Sequence, residues 1–429
     1  MEAERLRIWF KGKPHKKPTK TAKVSCGVLY GNNLQSCRHS VILKINGKDS
    51  RGRKRVLNKA TNIEIKKINR NNIYRIVLAK ENTSKQEIAY QLNISIPTVS
   101  QNLNELIEDG LVKENGSFQS TGGRKAKIIS SNPTARVALG LDITPNHVNL
   151  VMVDLVANVL KSQRYRLPFQ QGKGYYTAVE KLLQDMIKSS RISSKQILGV
   201  GVSLPAIIGA DGKSVIYAPL FDDLTGLYDD LASYIKYPYH FMNDANAGGF
   251  AEFYNNHSGR DVLYLSLSNS VGGAVFVDGK LYYGEDMRSG EFGHMTLVPD
   301  GRRCYCGNYG CVDAYCSASL LSNLTDGNLA LFFERLEQGD SACKAAWEEY
   351  LRYLVIVINN LNISFDCEVL LGGYVGRYVG PHLEKIREQA IKRCNFNMNP
   401  SSIQVSHLNE EASAMGAALY YINEFISEI

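Results

Sequence analysis

No apolar run in the 429-residue chain approaches the roughly 20 residues that a helix needs to cross a bilayer. No leader with an apolar core and a small-residue cleavage site opens it either, so the expectation is a cytoplasmic protein that touches no membrane. The nine cysteines are odd in number and do not space as a disulfide framework, which excludes a stapled secreted fold and fits a reducing compartment. Acidic residues are scarce at the front: residues 1–135 carry 26 Lys/Arg against 10 Asp/Glu, whereas the remainder carries 24 against 32. A basic front on an acidic back points to nucleic acid at one end and a different partner at the other. A hydrophobic fraction of 44% in a chain of this length supplies cores for two or three domains.

Regular apolar periodicity is missing from residues 1–55, which hold basic clusters at Lys11–Lys23 and Arg51–Arg55. This segment reads as a basic extension, disordered or outside the native start, and no function is assigned to it. Cys26, Cys37 and His39 fit no common metal-site spacing. From Val56 the text changes. Ile63, Ile65, Ile68, Ile73, Ile76, Val77 and Leu78 predict a first helix over about residues 62–80. Thr83 or Ser84 caps a second helix with Ile88, Ala89 and Leu92 inward, and Asn93-Ile94-Ser95 makes a tight turn. Pro97 sits in the first turn of a third helix, where its missing N–H costs nothing.

Two short helices joined this way form a helix-turn-helix whose second member enters the major groove. Ser95, Thr98, Ser100, Gln101 and Asn104 lie on or near its open side, short and polar enough for base edges or phosphates. Leu111–Gly116 and Ala126–Ser130 read as two strands around Ser120-Thr-Gly-Gly-Arg124-Lys125. That is a winged helix over residues 56–131, with Arg124 and Lys125 placed to reach a phosphate or minor groove.

The densest chemistry lies in Gly290–Cys316. Cys304, Cys306 and Cys311 come within one short turn-rich window, and His294 precedes them. Three thiols and an imidazole at this spacing predict a four-ligand structural zinc site with no place left for a reacting water. From Val137 onward, strands alternate with helices: Val137–Ile143, Val148–Val153, Ile197–Leu204, Tyr239–Met242, Val262–Leu267, Gly273–Val277 and Val369–Leu371 as strands; Tyr175–Lys188, Ala345–Asn360 and Ala412–Phe425 as helices. This is an α/β domain over residues 136–429.

Glu291-x-Gly-His294 followed by Cys304-x-Cys306-Gly-x-x-Gly-Cys311 resembles the signature of the ROK family (repressors, open reading frames, kinases), over roughly residues 136–429. The Gly-Gly-Arg of the wing resembles the same point in ROK repressors. The resemblance implies a two-lobed, actin-like (ribonuclease H-like) fold with a sugar held between the lobes. It implies that His294 serves both zinc and sugar, and that Glu291 contacts sugar hydroxyls. Asn243-Asp244-Ala-Asn246 resembles the segment whose aspartate is the general base of the family's kinases. Asp313 stands where the family usually has a glutamate that makes a further hydroxyl contact.

Family kinases open this domain with an Asp-x-Gly-Gly-Thr phosphate loop, whereas this chain reads Asp142-Ile-Thr144-Pro145-Asn146-His147. Their second phosphate loop is Gly-Thr-Gly, against Ser268-Asn269-Ser270 here. Pro145 has no N–H to offer an anion. The expectation is therefore a degenerate kinase that acts as a sugar-responsive repressor, resembling the xylose and N-acetylglucosamine branch. Its implied partners are operator DNA, a sugar or sugar-phosphate effector, zinc and a second copy in a homodimer. An ATP-dependent sugar kinase carrying a DNA-binding head is the alternative.

Overall fold

The computed structural model describes residues 61–119, 125–256, 260–394, 396, 398–408 and 410–429. The basic extension and Arg124 of the wing lie outside the described residues, whereas Lys125 is described and exposed.

The chain enters through α1 (Asn62–Ala79), α2 (Lys85–Leu92) and α3 (Ile96–Glu108). Each start has a local cause. Thr61 and Glu64 form a capping box on α1, and the Ser84 and Ser95 hydroxyls accept the Glu87 and Thr98 N–H groups of α2 and α3. Asn93 closes α2 in the left-handed conformation that asparagine tolerates. The hairpin of β1 (Val112–Ser117) and β2 (Lys127–Ser131) forms the wing. Thr83 joins it through paired backbone hydrogen bonds with Ile129 at 2.9 and 2.8 Å. Ile73, Tyr74, Val77, Ile88, Val99, Leu103 and Leu106 make this unit's core. The expected apolar face of α1 is only half right. Ile63, Ile65 and Ile68 are exposed, and the buried face of α1 begins only at Ile73 and Tyr74.

Two five-stranded sheets follow. The first runs in the order β5 (Val159–Arg166), β4 (His147–Asp154), β3 (Val137–Ile143), β6 (Ile197–Leu204), β9 (Tyr239–Asn243). The second runs β12 (Lys280–Leu281), β11 (Val271–Val277), β10 (Val262–Leu267), β13 (Glu368–Gly372), β14 (Ile403–Val405). Both join an antiparallel trio to two parallel strands. β3 and β10 are buried along their whole length, which is why they read as apolar runs broken only by Asp142 and Ser266. A small hairpin, β7 (Ile207–Ile208) and β8 (Val215–Tyr217), overhangs the first sheet.

α4 (Lys173–Ser190) and α5 (Leu227–Leu231) belong to the core of the first lobe. α7 (Asp313–Cys316), α8 (Ala318–Ser322), α9 (Leu329–Glu337), α10 (Ser341–Phe365), α11 (Gly373–Val379) and α12 (Leu383–Arg393) belong to the second. Between the sheets lie α6 (Asp244–Asn256), against β10 and β11, and α13 (Ala412–Glu428), against β3, β4 and β6. The seat of α13 is built from absent side chains. A Cβ on Gly140 or Gly201 would fall 1.8 or 1.9 Å from the carbonyl oxygen of Ala414 or Ala417. No helix among the described residues is long and apolar enough to cross a membrane.

Candidate functional site

The metal-ligand window folds on its own backbone. Thr296 pairs with Cys311 and Arg303 with Tyr309, while the Gly307 N–H donates to Cys304 O at 3.1 Å and the Gly310 N–H to Arg302 O at 2.8 Å. These bonds bring His294, Cys304, Cys306 and Cys311 together, with all four ligating atoms within 4.8 Å of one another. Cys306 Sγ lies 3.8 Å from Cys311 Sγ, and His294 Nδ1 lies 3.9 Å from Cys304 Sγ. Zinc–sulfur bonds of about 2.3 Å in a tetrahedron require edges of about 3.8 Å, so the donor set fits that ion. Burial lowers the His294 pKa, favouring the neutral imidazole that can ligate a metal. Because Nδ1 faces the thiols, Nε2 points elsewhere, 3.3 Å from the Tyr305 hydroxyl.

Asn243, Asp244, Glu291 and His294, expected from the sequence, line one cleft with Pro205, Ala206, Tyr217, Gly272, Gly273 and Tyr305. Asn243 is also structural: its Oδ1 accepts the Asn246 N–H at 2.9 Å and its Nδ2 donates to Ala206 O at 3.1 Å. It caps α6 and fixes Asp244 at the helix start. Asp313 behaves differently. It is buried, its carboxylate accepts the Val271 N–H at 2.7 Å, and it is not among the residues that line the cleft. Tyr305 went unread in the sequence, because nothing but its place between two ligand cysteines marks it.

A polar row crosses the first sheet behind Asp244. Ser203, Asp142, Asn149 and Arg164 are successive partners across β6, β3, β4 and β5. Asp142 accepts from Ser203 Oγ and from Asn149 Nδ2, the latter at 2.8 Å. Burial raises the Asp142 pKa against those hydrogen bonds. Burial, then the neighbouring Asp142 and Glu291, push Asp244 up to about 7 although the Ala245 N–H opposes them. Burial raises Glu291 as well. Three carboxyls are thus held where sharing a proton, or meeting hydroxyl donors, relieves them.

The turn at residues 144–147 spends its donors internally. The Thr144 N–H donates to His147 O, and the His147 N–H to Thr144 Oγ1, both at 3.0 Å. Where the lobes meet beyond it, Glu410 accepts from Arg164 of β5 and, at 3.2 Å, from Arg377 of α11.

On helix α3, Ser95 at its cap, Gln101 and Asn104 are exposed, and Thr98 and Ser100 are half-buried. Ser95 Oγ and Thr98 Oγ1 lie 2.8 Å apart, so these two hydroxyls also finish the cap of α3.

Residues 138–424 match the family model described as ROK family, and residues 67–113 match that described as winged helix-turn-helix DNA-binding. The xylose repressor of Caldicellulosiruptor bescii is 26% identical over 391 residues, covering 85% of this chain and 97% of the relative. The N-acetylglucosamine repressor of Escherichia coli O157:H7 is 24% identical over 379 residues, covering 82% and 92%. Among solved structures, a ROK family transcriptional regulator described as a homologue of the E. coli MLC protein superposes with a TM-score of 0.65 at 19% identity, covering 85% of this chain and 97% of its own. A ROK family glucokinase from Streptomyces griseus, in complex with glucose and AMPPNP, superposes with a TM-score of 0.57 at 23% identity, covering 66% and 98%.

Proposed function

This chain belongs to the ROK family, and from that premise we propose that it is a sugar-responsive transcriptional repressor of carbohydrate-use genes. The observation that carries the reading is one chain holding a winged helix with a polar open face and a cleft lined by Asn243, Asp244, Glu291 and His294. The DNA-binding unit is residues 56–131 and the effector unit residues 136–429. Ser95, Thr98, Ser100, Gln101 and Asn104 meet the major groove, with Arg124 and Lys125 on the flanking backbone. A homodimer then reads a two-fold operator.

His294, Cys304, Cys306 and Cys311 would hold zinc. When bound, it supplies a structural cross-link between the segment before Met295 and the turn of the cysteines. The His294 imidazole turns Nδ1 to the Cys304 thiol and Nε2 to the Tyr305 hydroxyl, and both His294 and Tyr305 line the cleft. Asp244 and Glu291 accept from sugar hydroxyls.

The absence of sugar phosphorylation is supported by the turn at residues 144–147, whose Thr144 and His147 N–H groups are already engaged and whose Pro145 has none. The kinase alternative rests on Asp244, whose pKa near 7 suits a general base. Calorimetric titration with D-xylose, N-acetylglucosamine, D-glucose and their 6-phosphates or 5-phosphate, paired with a coupled ATP-consumption assay, separates the readings. Binding without turnover is expected. Turnover lost in Asp244→Asn establishes the kinase instead, and silence across the panel removes the sugar effector.

A further inference from the structure

We propose that α13 is the element that couples the sugar cleft to the DNA-binding head, a proposal that rests on the repressor reading. Its first turn touches the cleft: Ser413 Oγ donates to the main-chain oxygen of Asp244 at 3.0 Å. Asp244 also begins α6, against which α13 lies. The two helices meet backbone to backbone, since a Cβ on Gly416 would fall 1.7 Å from Ala247 O. Ala247, Ala251, Ala414, Ala417 and Ala418 fill the surroundings and are buried. Alanine has no side-chain torsion to absorb a displacement, so movement of α6 at the cleft passes directly to α13.

The far end of the same helix meets the head. Asn71 of α1 donates its side-chain N–H to Ile426 O, satisfying one of the carbonyls that a helix C-terminus leaves open. Phe425 is partly buried against the core that holds the α1 residues, and the guanidinium of Arg136, the first residue of the effector unit, lies 5.7 Å from its ring centre. Ile422 and Ile426 are buried in one continuous core with Ile73, Tyr74 and Val77 of α1. The head is therefore docked rather than tethered. α1 in turn holds the recognition helix, with Arg70 paired to Glu105 at 3.4 Å and to Asp109. Seventeen residues at about 1.5 Å each give α13 a reach of about 25 Å, which spans from cleft to head in a single rigid element. A ligand that prefers one placement of α6 thus biases one placement of α3.

The test uses the double variant Asn71→Ala/Phe425→Ala, whose sites lie outside the cleft lining and off the recognition helix. Three quantities are measured on the full-length protein. These are the affinity for the sugar that binds in the panel above, the affinity for DNA from the gene's own upstream region, and the latter again at saturating sugar. The ratio of the two DNA affinities is the coupling. The expected result is sugar and sugar-free DNA affinities within about threefold of wild type, with the coupling ratio reduced at least tenfold. A variant that keeps the wild-type ratio overturns the proposal. Hydrogen exchange on the wild-type protein is a second reading that needs no variant. Sugar should change protection in the last turns of α13 and in α1, and a change confined to α6 and the cleft also overturns it. A wild-type ratio of one removes the repressor reading and this proposal together, whereas a wild-type ratio that survives in the variant removes this proposal alone.

Discussion

Asp244→Asn should make the ligand-free protein more stable, and increasingly so as pH rises. The Asp244 carboxyl is pushed from an ordinary 3.8 to about 7 by burial and by Asp142 and Glu291. Below pH 4 folded and unfolded chains both hold the proton, and the group has no effect on stability. As pH rises further the unfolded chain releases its proton while the folded one keeps it. Each unit then removes about 1.4 kcal/mol from the wild type, until the folded value is passed. The full gap of about three units corresponds to about 4 kcal/mol lost at pH 8, and about half of that at pH 5.5. Asparagine keeps the shape and never bears the charge. Its advantage over aspartate should therefore grow by about 2 kcal/mol between pH 5.5 and pH 8, part of it from relief of Asp142, which titrates with Asp244 as a pair. Urea unfolding followed by circular dichroism at both pH values measures this. An advantage of equal size at the two pH values, or none at pH 8, refutes the reasoning. The same variant should bind sugar about 10- to 100-fold more weakly, the usual worth of a hydrogen bond to a charged group.

Protein purified without chelator should carry about one zinc per chain, measured by elemental analysis. Cys306→Ser should lose the zinc and lower the melting temperature, because the turn around Gly307 then lacks its cross-link; full metal content in the variant contradicts the ligand set. Ser95→Ala removes the acceptor of the Thr98 N–H and should cost about 1 kcal/mol of stability in the DNA-binding head, seen in a thermal melt. Gln101→Ala, on the open face of α3, should weaken DNA binding by about 1–3 kcal/mol and leave sugar affinity unchanged. Equal DNA affinity would move recognition off that face.

The first lobe's central strands and the His/Cys window were legible because their signals are local: β3 is apolar but for Asp142, and His294, Cys304, Cys306 and Cys311 fall within 18 residues of one another. β5 was missed. Its sequence VLKSQRYR lies at the sheet edge with alternate residues exposed, so solvent contact erased the apolar signal. α9 was missed, and α10 runs longer at both ends than its apolar pattern suggested, from Ser341 to Phe365. Ile63, Ile65 and Ile68 fit a helical stripe, yet periodicity does not reveal where the partner surface stops. Asp313 shows the same limit at the site: the family resemblance places it near a hydroxyl contact, and no local pattern shows that its carboxylate also accepts the Val271 N–H at the start of β11. The contact of Asn71 with Ile426 joins residues 355 positions apart, and no local pattern records such a pairing.

The central claim, that one chain reads both an operator and a sugar, is tested most directly by fluorescence anisotropy. A labelled fragment of the gene's upstream region is titrated with the protein at fixed salt, and the complex is then challenged with each sugar of the panel. The account predicts sequence-specific binding whose affinity one sugar shifts at least tenfold. Specific binding that no sugar alters, or no specific binding at all, contradicts it.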